Sequence, residues 1–68
     1  MYEFRTIGVG KYEKLQRAKL VNDKPIPKWQ ADPACLLVPY LLTQGKEGWA
    51  IVGIGANTIY LQRPLPKQ

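Results

Sequence analysis

The 68-residue sequence predicts a small α+β domain, in which one helix packs on one face of a three-stranded, mainly antiparallel sheet. Residues 2–7 and 48–63 are rich in β-forming side chains, and the second stretch divides into two runs, as a hairpin does. Between them, residues 34–45 carry the apolar spacing of an amphipathic helix. The length allows a single domain at most.

The first predicted strand, residues 2–7, places Tyr2 and Phe4 on one face of the sheet and the intervening residues on the other. Gly8-Val-Gly10 then indicates a turn or an irregular strand end. The sequence Gly-Val-Gly-Lys is not a phosphate-binding loop, because Arg5 stands where the first glycine of that motif is required.

Residues 11–33 form a basic, proline-rich segment whose first part is ambiguous. Tyr12, Leu15 and Leu20 have roughly helical spacing among good helix formers, which favours a short helix over residues 11–23. The same residues also fit a strand with one polar face. The second part contains three prolines and should form an extended loop.

The predicted helix over residues 34–45 follows a good start signal. Asp32 can accept hydrogen bonds from the amides of the first turn, and Pro33 is tolerated at the first helical position. Gly45 would supply a left-handed stop. Pro39 conflicts with a regular helix, where it costs about 3 kcal/mol. Either the helix kinks there, or a turn precedes a shorter helix that begins at Pro39.

The run Gly53-Ile-Gly-Ala-Asn57 raises the question of a dinucleotide-binding turn. That fingerprint requires a third glycine, where this chain has Thr58, and then a helix, where this chain has a β-rich run. We therefore predict a hairpin over residues 48–63, with a bend at Gly55-Ala-Asn57, because asparagine and glycine tolerate positive φ. The prolines that follow should end the strand and leave residues 64–68 as a loose tail.

The composition argues against catalysis. The chain has no histidine, so the usual general base is missing. Cys35 is the only cysteine; it has no histidine to activate it, and it cannot form a disulfide within the chain. The five acidic residues are scattered, with no local spacing that pairs them. We expect neither an enzyme, nor a metal site, nor a cofactor.

The net charge of +5 is concentrated between residues 11 and 28. Such a cluster can attract an acidic protein or a phosphate backbone, although a solvated basic surface is the simpler interpretation. The indole at position 29 adds a side chain that stacks on a nucleobase or packs against a small core. The candidate residues for binding a protein or a nucleic acid are Lys11, Lys14, Arg17, Lys19, Lys24, Lys28 and Trp29.

The second half of the chain resembles a family of very short bacterial and phage proteins of unknown function. The residues that carry the resemblance are Gly45-Lys-Glu-Gly-Trp-Ala-Ile-Val52, Ile59-Tyr-Leu-Gln-Arg-Pro-Leu65 and the opening Tyr2-Glu-Phe-Arg. The resemblance implies a strand, a helix and a hairpin, with Trp49 as a core anchor where the helix leads into the sheet. It implies no activity. The basic segment and Pro39 depart from the family pattern.

These observations lead to one main expectation about function and two alternatives. The main expectation is a non-catalytic module that binds a protein partner and regulates or inhibits it. The alternatives are a nucleic-acid-binding protein and a binder of a phosphorylated ligand at an oligomer interface. A chain this short needs a well-packed core or self-association, and either is open. We expect a cytoplasmic protein without a membrane span.

Overall fold

The structure is a computed structural model that describes residues 1–66. Its elements are strands β1 (Tyr2–Tyr12), β2 (Leu15–Val21) and β3 (Lys24–Pro25), a 3₁₀ turn (Pro33–Cys35), helix α1 (Leu37–Lys46), and strands β4 (Ala50–Ile54) and β5 (Thr58–Pro64). The strands form one antiparallel sheet in the order β3-β2-β1-β5-β4.

The fold is α+β, but the prediction of a three-stranded sheet is wrong, because the sheet has five strands. The predicted helix over residues 11–23 is also wrong. β1 continues through both of its glycines to Tyr12, and the chain then reverses into β2. Gly8 lies so close to Leu20 that an added Cβ would be 2.9 Å from the Leu20 side chain, so the close strand pairing needs a glycine there.

Two tight turns join these added strands. Glu13 and Lys14 connect β1 to β2 with φ angles of 51° and 68°. Asn22 and Asp23 connect β2 to β3 with φ angles of 49° and 66°. Positive φ at both central residues is what a two-residue type I′ turn requires, and this turn matches the twist of paired strands. Asn22 and Asp23 therefore reverse a hairpin at the end of the segment for which a helix was predicted.

The core lies between α1 and one face of the sheet. Ile7 and Ile59 are directly paired on neighbouring strands and both are buried. Ala18, Trp49 and Leu61 complete the buried cluster. The partly buried residues of α1 that pack against it are Leu37, Tyr40 and Leu41. Only one face of the sheet is therefore covered by the helix, and twelve large hydrophobic side chains within residues 1–66 stay exposed.

The helix differs from its predicted bounds of residues 34–45. The chain first makes the 3₁₀ turn, where the Asp32 side chain accepts a hydrogen bond from the Ala34 amide, and α1 begins only at Leu37. Pro39 thus lies in the first turn, where its missing N–H costs no intrahelical hydrogen bond. Gly45 lies inside the helix, and the left-handed residue that follows α1 is Gly48, with φ of 91°.

Trp49 anchors the end of α1 to the sheet. Its ring lies between two guanidinium groups, with the Arg5 and Arg63 Cζ atoms 4.3 and 4.4 Å from the ring centroid. Arg5 also donates to the Gln44 side chain, and Arg63 donates to the Glu47 carbonyl at 2.9 Å. We call this group the Trp49 anchor. It joins β1, β5 and the end of the helix through stacking and hydrogen bonds.

The stretch around residues 53–57 is a hairpin in the structure, because β4 and β5 pair antiparallel on either side of it. Its bend does not use positive φ at Gly55 or Asn57. The Gly55 amide instead donates to the Thr58 carbonyl at 2.7 Å. In the predicted tail, Pro64 belongs to β5 and Leu65 donates to the Met1 carbonyl; residues 67–68 lie outside the described residues.

Candidate protein-binding groove

A groove of about 510 Å³ lies where the β1–β2 turn meets the start of α1. Its polar lining comes from Lys11, Lys14 and Gln16. Its apolar lining consists of Leu15, Leu36, Leu37, Val38 and Pro39. The volume is in the range of ligand sites, and the combination of apolar walls with a few polar groups is typical of them. We call this feature the basic groove.

The basic groove brings together two of the lysines that the sequence singled out. Lys11 is near the end of β1, and Lys14 is in the turn that follows, so the reversal of the chain brings both side chains to one depression. Both residues are exposed. Left-handed backbone costs a non-glycine residue energy, so a turn built from Glu13 and Lys14 is strained compared with Asn-Gly.

The start of α1 adds a second source of positive potential. No side chain caps this end of the helix, since the N-cap position is Leu36. The first turn of a helix carries N–H groups without intrahelical acceptors, and here they belong to Leu37 and Val38, because Pro39 has no N–H. The helix dipole favours an anion at this end. The groove therefore combines apolar walls with a preference for negative charge.

The other predicted binding residues lie elsewhere. The Lys19 ammonium is 5.5 Å from the centroid of the Trp29 ring, which also meets Tyr12 edge-on at 6.3 Å. Lys24 is in the edge strand β3, and Lys28 has a φ of 57° within the turn that follows. Among the basic candidates, the structure thus brings Lys11 and Lys14 together and leaves the rest dispersed.

Arg17 is buried rather than presented to a partner, with 8% of its surface exposed. Its Nε and Nη1 atoms have no hydrogen-bond partner among residues 1–66. Its backbone forms an isolated bridge with Leu36, next to the groove. A buried guanidinium without acceptors is costly, because its hydration is lost without replacement. Sequence composition gave no sign of this burial, since arginine is seldom buried.

Cys35 lies close to this arginine and is also buried. Burial raises the pKa of the Cys35 thiol, the negative charge of Asp32 raises that pKa further, and Arg17 acts in the opposite direction. The thiol is therefore kept in its neutral, unreactive form. Burial likewise raises the pKa of Tyr40, with Arg5 opposing the shift.

Within residues 1–66, no helix is long and apolar enough to cross a membrane. In the same range, no three side chains of His, Cys, Asp or Glu lie close enough together to hold a metal ion.

Comparisons with known proteins yielded no relatives. No family model matches the chain, and no match was found among curated proteins or solved structures. The resemblance based on residues 45–52, 59–65 and the opening strand therefore stays a prediction. Burial of Trp49 at 6% exposure agrees with the core position that the resemblance implies, but it identifies no family.

The sequence pointed to the lysines of the groove but not to its walls. Leu36, Val38 and Pro39 were assigned to the predicted helix over residues 34–45 and not to a binding surface. The signal that would have found them is Pro39 itself, because proline is readily accepted in a first helical turn. A helix predicted to start two residues before Pro39 would have had Leu36 at its N-cap, and the prediction would then have included an uncapped helix start.

Proposed function

We propose that the protein is a non-catalytic interaction module, and that its basic groove binds a short acidic and apolar segment of a partner protein. The observation that carries the proposal is the convergence of Lys11, Lys14 and an uncapped helix start on one apolar depression. Apolar side chains of the segment would contact Leu36 and Val38. Its carboxylates would face the lysines and the amino-terminal end of α1.

The charge distribution supports an acidic partner. The chain carries ten basic and five acidic residues, so its field attracts a negatively charged segment and accelerates association. The apolar lining supports a protein segment over a bare phosphate group, because Leu36, Val38 and Pro39 offer contact area that a phosphate cannot use. Affinity would come mostly from apolar burial, and selectivity from charge.

The experiment uses a defined probe, a fluorescein-labelled 12-residue peptide of alternating leucine and glutamate. Binding is measured by fluorescence anisotropy against wild type and Lys14→Glu. We expect the exchange of charge to weaken binding by about tenfold, equal to about 1.4 kcal/mol, because an attraction becomes a repulsion. A peptide of alternating leucine and lysine should bind wild type more weakly, and Lys14→Glu should reduce this preference.

The matched charge control is Lys24→Glu, which changes the net charge equally at an exposed site outside the groove. A matched apolar pair is Val38→Ser and Leu42→Ser, since these residues of α1 are 66% and 63% exposed and only Val38 lines the groove. We expect Val38→Ser to weaken binding and Leu42→Ser to leave it unchanged. Equal effects within either pair would contradict the proposed site.

A second candidate function, single-stranded nucleic acid binding, is favoured by aromatic side chains on the face of the sheet opposite α1. Tyr2, Phe4 and Tyr60 alternate with the buried residues of their strands and are 53%, 68% and 47% exposed. Nucleobases stack on such platforms. Lys19 lies on this face as well, beside Gly10 and over the Trp29 ring, and a single lysine supplies little of the phosphate contact that nucleic-acid binding requires. We therefore place this function second.

The two candidates differ in their dependence on salt. Binding of a 12-nucleotide polythymidine should weaken steeply with added salt and should require Phe4 and Tyr60. Binding of the acidic peptide should depend on salt less steeply and should not respond to Phe4→Ser. A tight oligonucleotide complex that Phe4→Ser abolishes, together with no peptide binding, would select the second function.

A further inference from the structure

The two edges of the five-stranded sheet differ in how they are protected. One edge is β3, which has two residues, Lys24 and Pro25. A short edge strand with a proline and a lysine discourages pairing with another chain. The other edge is β4, Ala-Ile-Val-Gly-Ile, which contains neither a charge nor a proline. A bulge at Val52 is its one protective feature.

The side chains of β4 are exposed as well as its backbone. Ile51, Val52 and Ile54 have exposed fractions of 50%, 51% and 74%. An apolar strand at a sheet edge, with one row of N–H and C=O groups not used by the sheet, is a template for a further strand. Because β4 carries no charge, two copies of this basic protein can bring this strand together without placing like charges opposite each other.

We infer that β4 pairs with β4 of a second copy, and that the protein forms a two-fold symmetric dimer with a continuous ten-stranded sheet. The asymmetry of the edges limits the assembly to two chains. Pairing β4 with β4 uses both open edges and leaves a β3 edge at each end, so no further copy can add. A protein with two open edges would instead form fibres.

The exposed area of one chain fits this inference. The chain exposes 5134 Å², whereas a compact monomer of 7.7 kDa exposes about 4,300 Å². The excess of roughly 800 Å² is similar to the area that one partner contributes to a standard interface. Burial of β4 would supply apolar area that a core of six buried hydrophobic residues lacks.

The dimer leaves the basic groove open. The groove is formed by β1, β2 and the start of α1, and β5 and β1 lie between β2 and β4 in the sheet. With strands about 4.8 Å apart, β2 and β4 are separated by about 14 Å. The dimer would therefore carry two grooves and could bind a partner that presents two acidic segments with greater avidity. The inference does not depend on the proposed function.

The test is sedimentation equilibrium of the purified full chain at several concentrations, for wild type, Val52→Lys and Ile54→Lys. Leu42→Lys is the control, because it adds the same charge at a similarly exposed apolar residue of α1. We expect a dimer for wild type and Leu42→Lys, and at least about tenfold weaker dimerisation for both β4 variants. Circular dichroism establishes that each variant is folded.

Each other outcome overturns the inference. A wild-type monomer at millimolar concentration would show that the β4 edge does not self-associate. A dimer that persists in folded Val52→Lys and Ile54→Lys would place the interface elsewhere, as would a dimer lost equally in Leu42→Lys. Tetramers or longer assemblies would contradict the inference that the protected β3 edges limit the assembly to two chains. Peptide binding by a monomer would refute the dimer and leave the proposed function standing.

Discussion

The two ends of this small domain are built differently. At the Trp49 anchor, each polar side chain that stacks on the indole also has a hydrogen-bond acceptor, and the backbone is relaxed apart from one glycine. At the end that holds the basic groove, the turn residues are left-handed, the Nε and Nη1 atoms of Arg17 are buried without a partner among residues 1–66, and the helix has no side-chain cap there. The Trp49 Nε1 atom is also buried without a partner among residues 1–66, so the contrast depends on the left-handed turn at Glu13 and Lys14 and on the uncapped helix start.

The difference supports the proposed binding site at the basic groove. Strain and unpaired polar groups persist when the rest of a fold supports them, and they are frequent at binding sites. The Trp49 anchor supplies two side-chain hydrogen bonds between the sheet and the end of α1, so it can support an unfavourable arrangement at the other end. The comparison leads to four predictions, beginning with the largest change in stability.

Removing the Trp49 indole should remove the difference between the two ends, because it destabilises the end that holds the Trp49 anchor. Trp49→Ala leaves a cavity between Arg5 and Arg63 and removes the surface on which both guanidinium groups stack. We expect a loss of about 3–5 kcal/mol in the free energy of unfolding, measured by urea denaturation. For a domain of this size that loss suffices to unfold the chain. A loss below about 1 kcal/mol would contradict the role of Trp49 as an anchor.

Arg17→Met should stabilise the protein, in contrast to the destabilisation expected for Trp49→Ala. Methionine keeps the unbranched stem of the side chain and removes the guanidinium, whose Nε and Nη1 atoms are buried without partners. We expect the free energy of unfolding to rise by about 1–3 kcal/mol. Arg17→Lys is the informative comparison, because it retains a buried charge and should not stabilise. Destabilisation by Arg17→Met would mean that the guanidinium stabilises the fold.

Relaxing the β1–β2 turn should stabilise the protein by a smaller amount. Glu13→Asn places a residue that tolerates left-handed backbone at a φ of 51°, and we expect a gain of about 0.5–1 kcal/mol. Lys14→Gly should stabilise similarly but weaken binding of the acidic peptide, because it removes a lysine of the groove. If Glu13→Asn weakened peptide binding as strongly, the strain and not Lys14 would be the relevant feature.

The smallest expected effect concerns Cys35. Since burial raises the pKa of its thiol, the folded protein should react with Ellman's reagent at pH 8 at least about tenfold more slowly than the urea-unfolded chain. Above the ordinary thiol pKa of 9.0 the unfolded state releases a proton that the folded state retains, so stability should fall as the pH rises. Cys35→Ala should weaken that pH dependence. Equal reaction rates would contradict burial of the thiol.

The sequence predicted some of these features and could not predict others, for identifiable reasons. The β-rich run before Asn57 and the one after it led to the hairpin, because turn residues and alternation are local signals. Residues 11–23 were assigned to a helix because Lys, Leu, Gln and Arg favour helices intrinsically, and this weak preference yields to pairing with β1. The left-handed turn at Glu13 and Lys14 has no local signal.

The candidate site was predictable in part. The lysines stand out by charge, but charge density alone does not separate Lys11 and Lys14 from Lys24 or from buried Arg17. Their convergence depends on the β1–β2 register, where Lys11 pairs with Gln16, and on the bridge between Arg17 and Leu36. The bridge joins residues 19 positions apart, and the register depends on the left-handed turn at Glu13 and Lys14. A single sequence contains no signal for them beyond the periodicity of each strand.

The most direct test of the central claim is a nuclear magnetic resonance titration of ¹⁵N-labelled protein with the leucine–glutamate peptide. We predict that the amide resonances of residues 11–16 and 36–38 shift progressively, because these residues form the basic groove. Amides of residues 50–54 and 24–29 should stay unchanged. Shifts confined to either of those regions, or no shifts at millimolar peptide, would contradict the assignment of the groove as the binding site.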